Sequence, residues 1–196
     1  YKYNYANGNF YYLPPMKKYY KYTLVLDLDE TLVYLMPNNI YVNEEGKICE
    51  AKHTLIFRPG LLDFLKKMKT LFELVIFSFG TLEYVDSVLK IIEKNEKFFE
   101  HVLYRQHATM NNGEYIKDLS LLGRDLKNII IVDDIPQVFK LQERNGICIK
   151  AFYGDIVTDR NTLKILGTIL EKVRFDADED GDIRKSLDKQ RNLIFS

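Results

Sequence analysis

Three short, continuous apolar runs constrain the fold of this chain more than any other feature of its sequence. The runs lie at 23–28, 74–77 and 128–132, and polar side chains interrupt or follow them at Asp27, Asp29, Ser78, Asp133 and Asp134. Short runs that are rich in branched apolar residues are typical of buried parallel strands. Two further runs, at 101–104 and 147–149, predict additional strands of the same kind.

Helical periodicity separates these runs. Apolar residues recur at positions i, i+3, i+4 and i+7 in three segments: Leu61, Phe64, Leu65 and Met68; Val85, Val88, Leu89 and Ile92; and Leu166, Ile169, Leu170 and Val173. Each segment predicts an amphipathic helix. Strands that alternate with helices predict an α/β fold with a doubly wound, mainly parallel sheet. Because ligands bind at the carboxyl ends of the strands in such sheets, we expect the polar residues that end the runs to share one site.

The segment 33–58 does not follow this alternation. Two short stretches, 40–42 and 48–50, flank a polar turn that contains Gly46. This pattern predicts a β-hairpin, and 53–58 is apolar enough to add a strand. We therefore expect a small β-hairpin insertion after the first strand of the sheet.

The composition is that of one globular domain with appendages. The chain has 196 residues, of which 46% are hydrophobic and 29% are charged. The 28 basic and 28 acidic residues give a formal net charge of zero, which argues against a nucleic-acid-binding protein. No apolar run approaches the roughly 18 residues of a membrane span, and the first residues lack the apolar core of a secretory signal. Because the two cysteines form no C-x-x-C pair, we expect an intracellular protein.

We expect three parts along the chain. They are an extension at 1–22, an α/β domain at 23–175 and an acidic turn followed by a C-terminal helix at 176–196. The extension holds eight tyrosines and four lysines but no acid. It could bind a partner, but we favour a terminus that packs on the domain. We also expect the chain to be a monomer.

The acidic segment 176–183 imitates a calcium-binding loop. Acids occupy positions 1, 3, 5 and 7, and Gly181 occupies position 6. Position 12 is Leu187, where a calcium loop requires a bidentate Glu. We therefore interpret the segment as an acidic turn that begins the final helix, with Ser186 and Leu187 inside the helix.

The acids that follow the first run point to chemistry. Asp27, Asp29 and Glu30 occur within four positions, directly after a predicted buried strand. A helix-capping box would explain one of these acids but not all three. Clustered carboxylates repel one another, so they usually hold a cation or exchange a proton.

Asp27-x-Asp29-x-Thr31 after a strand resembles the first motif of the haloacid dehalogenase (HAD) superfamily. The longer stretch 27–33 resembles its FCP/SCP branch, the NLI-interacting-factor-like phosphatases of the RNA polymerase II C-terminal domain. Further segments resemble motifs of this branch in the same order: Arg58-Pro59-Gly60 with Phe64-Leu65, Phe77-Ser78, the stretches 115–120 and 122–126, and 132–136. The resemblance covers about 22–175 and implies a HAD-like, Rossmann-like sheet.

The resemblance also implies a reaction. Asp27 would attack phosphorus and form an aspartyl-phosphate, which splits one difficult step into two. Asp29 would protonate the leaving oxygen and then activate water. Mg²⁺ would be held by Asp27, the backbone carbonyl of Asp29 and Asp134, since it prefers oxygen ligands.

Five more residues receive roles from the resemblance. Ser78 and Lys117 would bind the phosphoryl group, and Asp133 would orient Lys117. Tyr84 and Arg105 match positions that contact the proline and a second phosphate of the substrate in the small phosphatases. Taken singly, each has a structural alternative: a strand-end cap for Ser78, a turn for Asp133, and surface positions for the other three.

Two positions depart from the small-phosphatase pattern. Asp134 stands where those proteins usually have Asn, although Asp is common elsewhere in the superfamily. Phe79-Gly80 resembles the larger FCP type instead. The chain therefore combines features of both types.

The resulting functional prediction is a Mg²⁺-dependent phosphoserine/phosphothreonine phosphatase that acts on phosphoproteins. The resemblance implies the RNA polymerase II C-terminal domain as substrate and the nucleus as location. Two alternatives remain at this point. One is a binding or scaffold protein on the same fold, as in the mitochondrial import receptor domains, and the other is a small-molecule phosphatase.

Overall fold

The computed structural model describes residues 2–37, 40–50 and 53–194. The strands within these ranges are β1 (Tyr3–Asn4), β2 (Phe10–Tyr11), β3 (Thr23–Leu26), β4 (Val33–Met36), β5 (Ile40–Val42), β6 (Ile48–Glu50), β7 (Thr54–Phe57), β8 (Glu73–Phe77), β9 (His101–Leu103), β10 (Thr109–Asn111), β11 (Glu114–Ile116), β12 (Ile129–Asp133) and β13 (Gly146–Cys148). The α-helices are α1 (Leu61–Leu71), α2 (Leu82–Ile92), α3 (Thr162–Asp180) and α4 (Ile183–Ile194). Short 3₁₀ segments occur at Arg105–His107, Leu119–Leu121, Leu126–Asn128 and Pro136–Asn145.

A five-stranded sheet forms the centre of the fold. Its strand order is β13-β12-β3-β8-β9, and every neighbouring pair is parallel. Leu26 lies beside Ile76 on one side and Val132 on the other. This register brings the carboxyl ends of the three central strands to one edge of the sheet. The predicted doubly wound, parallel α/β architecture is confirmed.

The two faces of the sheet are covered differently. On one face, Leu24, Leu26 and Ile76 pack against α1, α2 and α3. On the other face, Val25 and Val75 pack against the N-terminal segment and the 3₁₀ segments. Burial of one such side chain contributes roughly 1.5–3 kcal/mol, so both layers stabilise the domain.

The insertion contains two antiparallel pairs. β5 pairs with β6 in the predicted hairpin, and Gly46 adopts a left-handed φ of 76° in its turn. β4 pairs with β7, which is the additional strand expected at 53–58. The insertion therefore extends from the edge of the sheet where β3 ends.

The first and last described segments of the chain pack on the domain. The side chain of Leu13 is buried in the same layer as Val25 and Val75, and the N–H of Tyr12 donates to the carbonyl of Leu121 at 2.9 Å. Ile183 and Leu187 of α4 are buried in the other layer, as expected for Leu187 within a final helix.

The predicted acidic turn at the start of 176–196 is wrong, because residues 176–180 are the last turn of α3. Lys172 pairs with Asp176, and Arg174 pairs with Asp178 in the same helix. These pairs at i, i+4 spacing support a helix that charge alone does not reveal. The chain turns at Gly181, which has a left-handed φ of 68°. None of the helices in the described ranges has the length and apolar character of a membrane span.

Candidate active site

A cleft of about 400 Å³ lies at the carboxyl edge of the sheet. Its lining includes all eight residues predicted for the site: Asp27, Asp29, Ser78, Tyr84, Arg105, Lys117, Asp133 and Asp134. Five of them lie at or just after the ends of β3, β8 and β12, and Tyr84 lies on α2. Arg105 begins a 3₁₀ segment, and Lys117 follows β11. Residues that are distant in the sequence are thus neighbours in the fold.

Lys117 bridges two carboxylates in the wall of this cleft. Its buried Nζ donates to Asp27 Oδ1 at 2.8 Å and to Asp133 Oδ2 at 2.6 Å. Burial opposes the charged form, but the two carboxylates raise the pKa of Lys117 above its ordinary value. The backbone N–H of Lys117 donates to the carbonyl of Val138 at 2.7 Å, which fixes the chain where the lysine enters the cleft.

Aromatic rings surround the same ammonium group. Nζ of Lys117 lies 4.9 Å from the ring centroid of Phe79 and 5.7 Å from that of Phe77. The ring faces attract the cation and exclude water from it. The charge of Lys117 is therefore directed at the cleft and the two carboxylates.

Asp133 uses both of its oxygens within the protein. Oδ2 accepts from Lys117, and Oδ1 accepts from the backbone N–H of Ile135 at 2.9 Å. Burial raises the pKa of Asp133 to about 6, although Lys117 opposes this shift. The arrangement suits the predicted role of orienting Lys117.

Thr31 lies between the two other carboxylates of the cluster. Its hydroxyl oxygen is 2.9 Å from Asp27 Oδ2 and 3.3 Å from Asp134 Oδ1, and its single hydrogen can be donated to one of them at a time. Burial and the charge of Asp27 raise the pKa of Asp134 to about 6. The pair of acids thus carries negative charge that the protein alone does not neutralise.

The donor set at this point fits a hard divalent cation. Asp27, Asp133 and Asp134 each offer a carboxylate oxygen, and these atoms lie within 4.8 Å of one another. Both oxygens of Asp133 and both of Asp27 accept hydrogen bonds, so Asp134 is the carboxylate least engaged within the protein, and Asp27 shares the Thr31 hydroxyl with it. Mg²⁺ is bound by one or two carboxylates together with waters and phosphate oxygens, and these two residues meet that requirement.

Asp29 contacts Tyr84 across the cleft. The hydroxyl of Tyr84, on the first turn of α2, donates to Asp29 Oδ1. Burial raises the pKa of Asp29, the hydrogen bond from Tyr84 opposes this, and the charge of Asp27 adds to it. A raised carboxyl pKa is the property that a general acid needs. The sequence assigned Tyr84 to substrate, and its contact with Asp29 was not predicted.

Ser78 is buried at the end of β8, beside a glycine that the geometry requires. The N–H of Gly80 donates to Ser78 Oγ at 3.0 Å. A Cβ at Gly80 would lie 2.9 Å from side-chain atoms of both Tyr84 and Val85. Only glycine therefore allows α2 to approach this turn closely and present Tyr84 to the cleft.

Arg105 lies at the exposed rim of the cleft. Its Nε donates to the carbonyl of Phe79 at 2.8 Å, and its backbone N–H donates to the carbonyl of Gly80 at 3.2 Å. The side chain is therefore anchored to the turn that carries Ser78. This anchoring places a positive charge beside the acidic cleft.

A family model matches this chain over residues 22–184, and its description is NLI interacting factor-like phosphatase. The match covers the whole sheet, the cleft and α3. The chain belongs to the NLI interacting factor-like phosphatase family. This is the FCP/SCP-type branch of the HAD superfamily, as the motifs indicated.

Named relatives of this family are similar over most of the chain. "CTD small phosphatase-like protein 2" of Dictyostelium discoideum is 36% identical over 156 residues, which are 74% of this chain and 26% of that protein. "CTD nuclear envelope phosphatase 1B" of Danio rerio is 32% identical over 181 residues, which are 86% of this chain and 73% of that protein. The chain spans about half or less of the length of several curated relatives that it matches.

A solved structure supports the fold of this family member. It is described as "The Structure of Fcp1, an essential RNA polymerase II CTD phosphatase", with a TM-score of 0.54 and 24% identity. The likeness covers 88% of this chain and 53% of that chain. At this identity, the comparison shows a shared fold.

Sequence reasoning gave no individual role to two residues that contribute to the site in this family member, Thr31 and Glu30. Thr31 was noted only as a motif letter, although its hydroxyl contacts Asp27. Glu30 lines the cleft with a left-handed φ of 58°, which is costly for a residue with a side chain. Thr31 could have been found from its place in the first motif, whereas no sequence signal reveals the conformation of Glu30.

Proposed function

We propose that this chain is a Mg²⁺-dependent phosphatase that hydrolyses phosphoserine and phosphothreonine through an aspartyl-phosphate on Asp27. The observation that carries the proposal is the bridge of Lys117 between Asp27 and Asp133, with Asp134 beside them. A carboxylate can attack a phosphate dianion only where positive charge offsets their repulsion. The buried lysine supplies such charge at the attacking oxygen.

In the first step, a carboxylate oxygen of Asp27 attacks phosphorus, and the bond from phosphorus to the seryl or threonyl oxygen breaks. Asp29 gives its proton to that leaving oxygen, for which its raised pKa prepares it. Ser78 accepts from the Gly80 N–H, so its own hydrogen is left for a phosphoryl oxygen. The product of this step is the free hydroxyl residue and the phosphorylated Asp27.

In the second step, Asp29 takes a proton from water while the water oxygen attacks phosphorus. The bond between phosphorus and Asp27 breaks, and inorganic phosphate leaves. Asp29 thus acts first as an acid and then as a base, which returns the site to its starting state. Lys117 enters the reaction charged, because Asp27 and Asp133 raise its pKa.

Asp27, Asp134 and the backbone carbonyl of Asp29 would hold Mg²⁺. Bound there, the ion would offset the charge of the acids and of the phosphoryl oxygens. The raised pKa of Asp134 supports this assignment, since unneutralised negative charge is one of its causes.

A phosphoprotein substrate fits the surroundings of the cleft. The described part of the insertion is two short antiparallel pairs, which is little material for a lid. Arg105 and Tyr84 at the cleft would contact residues that flank the phosphoresidue. The names of the relatives and of the solved structure support the RNA polymerase II C-terminal domain as substrate and a nuclear association.

The test is a phosphate-release assay with phosphoserine and phosphothreonine peptides of the polymerase heptad repeat. We expect hydrolysis that requires Mg²⁺ and stops when EDTA is added. Glucose 6-phosphate at the same concentration should be hydrolysed much more slowly.

Absence of Mg²⁺-dependent release from every phosphopeptide would overturn the proposal. Faster release from the sugar phosphate would replace it with a small-molecule phosphatase. Asp63→Asn is the matched control for the variant Asp27→Asn. It removes an exposed carboxylate of α1 and should leave the rate of phosphate release unchanged.

A further inference from the structure

Arg58 is a fully buried cation that lies behind the site and does not line the cleft. Its guanidinium forms a bidentate pair with Asp159, with Nε to Oδ1 at 2.7 Å and Nη2 to Oδ2 at 2.8 Å. Nη2 also donates to the backbone carbonyl of Lys150 at 2.7 Å, and Nη1 donates to the backbone carbonyl of Thr31 at 3.0 Å. The side chain thus connects three segments of the fold.

One of these segments is the loop that carries the acids of the site. Besides the contact with Thr31, the backbone N–H of Arg58 donates to the carbonyl of Leu32 at 2.9 Å. The carbonyl of Glu30 accepts from the N–H of Phe152 at 2.7 Å. Since Glu30 has a left-handed φ, this loop is strained and needs such contacts to keep its shape.

The loop in turn sets the cluster of carboxylates. The hydroxyl of Thr31 touches both Asp27 and Asp134, at 2.9 and 3.3 Å. A shift of the Thr31 backbone would move that hydroxyl, and the side chains of Asp27 and Asp134 would then change their orientation relative to each other. A chain of contacts therefore runs from Asp159 through Arg58 and Thr31 to the reacting carboxylate.

A second buried pair in the protein has the same chemistry without this connection. Arg124 donates Nε and Nη2 to the two oxygens of Glu73, at 2.8 and 2.6 Å. It also reaches the backbone carbonyls of Pro14 and Gly123, at 2.8 and 3.0 Å. Glu73 is the first residue of β8, at the end of the sheet away from the cleft. This pair serves as an internal control.

We propose that Arg58, held by Asp159, is a positioning residue of the active site. It fixes the backbone of Thr31, so that the Thr31 hydroxyl holds the carboxylates of Asp27 and Asp134 in the orientation that metal binding and attack require. The inference rests on the proposed phosphatase function. Its role is distinct from that of Arg124, which secures the fold alone.

The test compares two double variants in which each buried pair becomes apolar: Arg58→Met with Asp159→Leu, and Arg124→Met with Glu73→Leu. Replacing both partners avoids leaving a buried charge unpaired, so each variant retains more stability than a single substitution would. Melting temperature, kcat and KM on a phosphopeptide, and the Mg²⁺ dissociation constant by calorimetry without substrate are measured for both.

For the Arg58 and Asp159 variant we expect kcat to fall about 100-fold with KM little changed, because a displaced reacting group loses rate rather than binding. Mg²⁺ should bind about 10-fold more weakly, as is typical when a partner behind a ligand is lost. The Arg124 and Glu73 variant should keep kcat and Mg²⁺ affinity near wild type. Equal kcat and equal Mg²⁺ affinity in the two double variants would overturn the inference.

Two further outcomes are distinguishable. If the wild-type chain releases no phosphate from phosphopeptides, the proposed function fails, and the Mg²⁺ dissociation constants still decide the positioning role. If the Arg58 double variant does not fold, Asp159→Asn replaces it, since Asn keeps one acceptor for the guanidinium. We then expect a lower melting temperature, because the buried guanidinium loses its counter-charge, and a kcat that falls about 10-fold when it is measured below that temperature; a wild-type kcat would overturn the inference.

Discussion

The two ends of the central sheet both bury carboxylates, yet they treat them in opposite ways. At the amino end, Glu73 is enclosed by Arg124, by the hydroxyl of Thr23 at 2.7 Å and by His101 at 3.3 Å. At the carboxyl end, five acids and two basic residues line one cleft: Asp27, Asp29, Glu30, Asp133, Asp134, Lys117 and Arg105. Negative charge is matched at one end and in excess at the other.

The pKa values follow this difference. Burial alone would raise the pKa of Glu73, but hydrogen bonds from Arg124 and His101 lower it to about 2. Burial raises the pKa values of Asp133 and Asp134 to about 6. Because both environments are buried, burial does not explain the contrast; the balance of partner charges does. An end that tolerates unbalanced acids sacrifices stability, and such sites usually serve function.

The largest expected effect is the loss of activity in Asp27→Asn. The amide cannot attack phosphorus, so phosphopeptide turnover should fall by about 10⁴-fold or more. The free energy of unfolding should not decrease, since the substitution removes a charge from the crowded end. Rates and urea unfolding curves of the same preparations test this, and turnover by Asp27→Asn near the wild-type rate would refute the assignment.

The next largest loss of activity is expected for Lys117→Met. Loss of the ammonium group removes stabilisation of the phosphoryl charge, for which we expect a fall in kcat of about 10²–10³-fold. The substitution also leaves Asp133 buried without its cation, so stability at pH 7 should drop by about 3–5 kcal/mol. Steady-state kinetics below the lowered melting temperature, compared with Lys66→Met on the exposed side of α1, would show whether both effects belong to this lysine.

Glu73→Gln should lower the stability of the protein and leave its activity unchanged, which is the reverse of the effect expected for Asp27→Asn. The lowered pKa of Glu73 corresponds to about 3 kcal/mol of stability at neutral pH, while the activity of the folded protein should stay unchanged. Because the folded state lowers this pKa, the contribution is present above about pH 4.5 and is lost as the pH falls toward 2. Unfolding curves of wild type and variant should therefore converge in acid. A difference in the free energy of unfolding that stayed constant across that range would show that the lowered pKa of Glu73 is not its source.

Mg²⁺ should stabilise the carboxyl end by a smaller amount. At ten times its dissociation constant, a ligand of the folded state adds about 1.4 kcal/mol. This gain should disappear in Asp134→Ala and persist in Glu73→Gln. Differential scanning calorimetry with and without Mg²⁺ measures it, and an equal gain in both variants would place the ion elsewhere.

A further effect is a pH dependence of the metal-free protein. Asp133 and Asp134 have raised pKa values of about 6 instead of 3.8, so the folded state binds more protons than the unfolded state between these values. Stability from this end should therefore fall as the pH rises from about 4 to 6, opposite in sign to Glu73. In EDTA, Asp134→Asn should gain stability over wild type at pH 7 and lose that advantage near pH 4.

The sequence predicted the carboxyl end better than the amino end. Strand runs and motifs placed Asp27, Ser78 and Asp133 at one edge, because parallel strands in register end together. It could not predict the pairs Arg58–Asp159 and Arg124–Glu73, whose partners lie 101 and 51 positions apart and depend on the packed fold.

The acidic stretch 176–180 was predicted wrongly for a local reason. Its composition resembles a turn, but Asp176 and Asp178 pair with Lys172 and Arg174 one helical turn earlier. The contact between Tyr84 and Asp29 escaped prediction for a tertiary reason, since it depends on the close approach of α2 that Gly80 permits.

The most direct test of the account is to trap the phosphorylated enzyme. Wild type and Asp27→Asn are mixed with a ³²P-labelled phosphopeptide and Mg²⁺, quenched in acid within milliseconds, treated with borohydride and mapped by mass spectrometry. We expect a modification of the wild-type protein that is confined to Asp27 and is absent from the variant and from reactions in EDTA. Mg²⁺-dependent turnover with the modification on another residue, or undiminished turnover by Asp27→Asn, would contradict it.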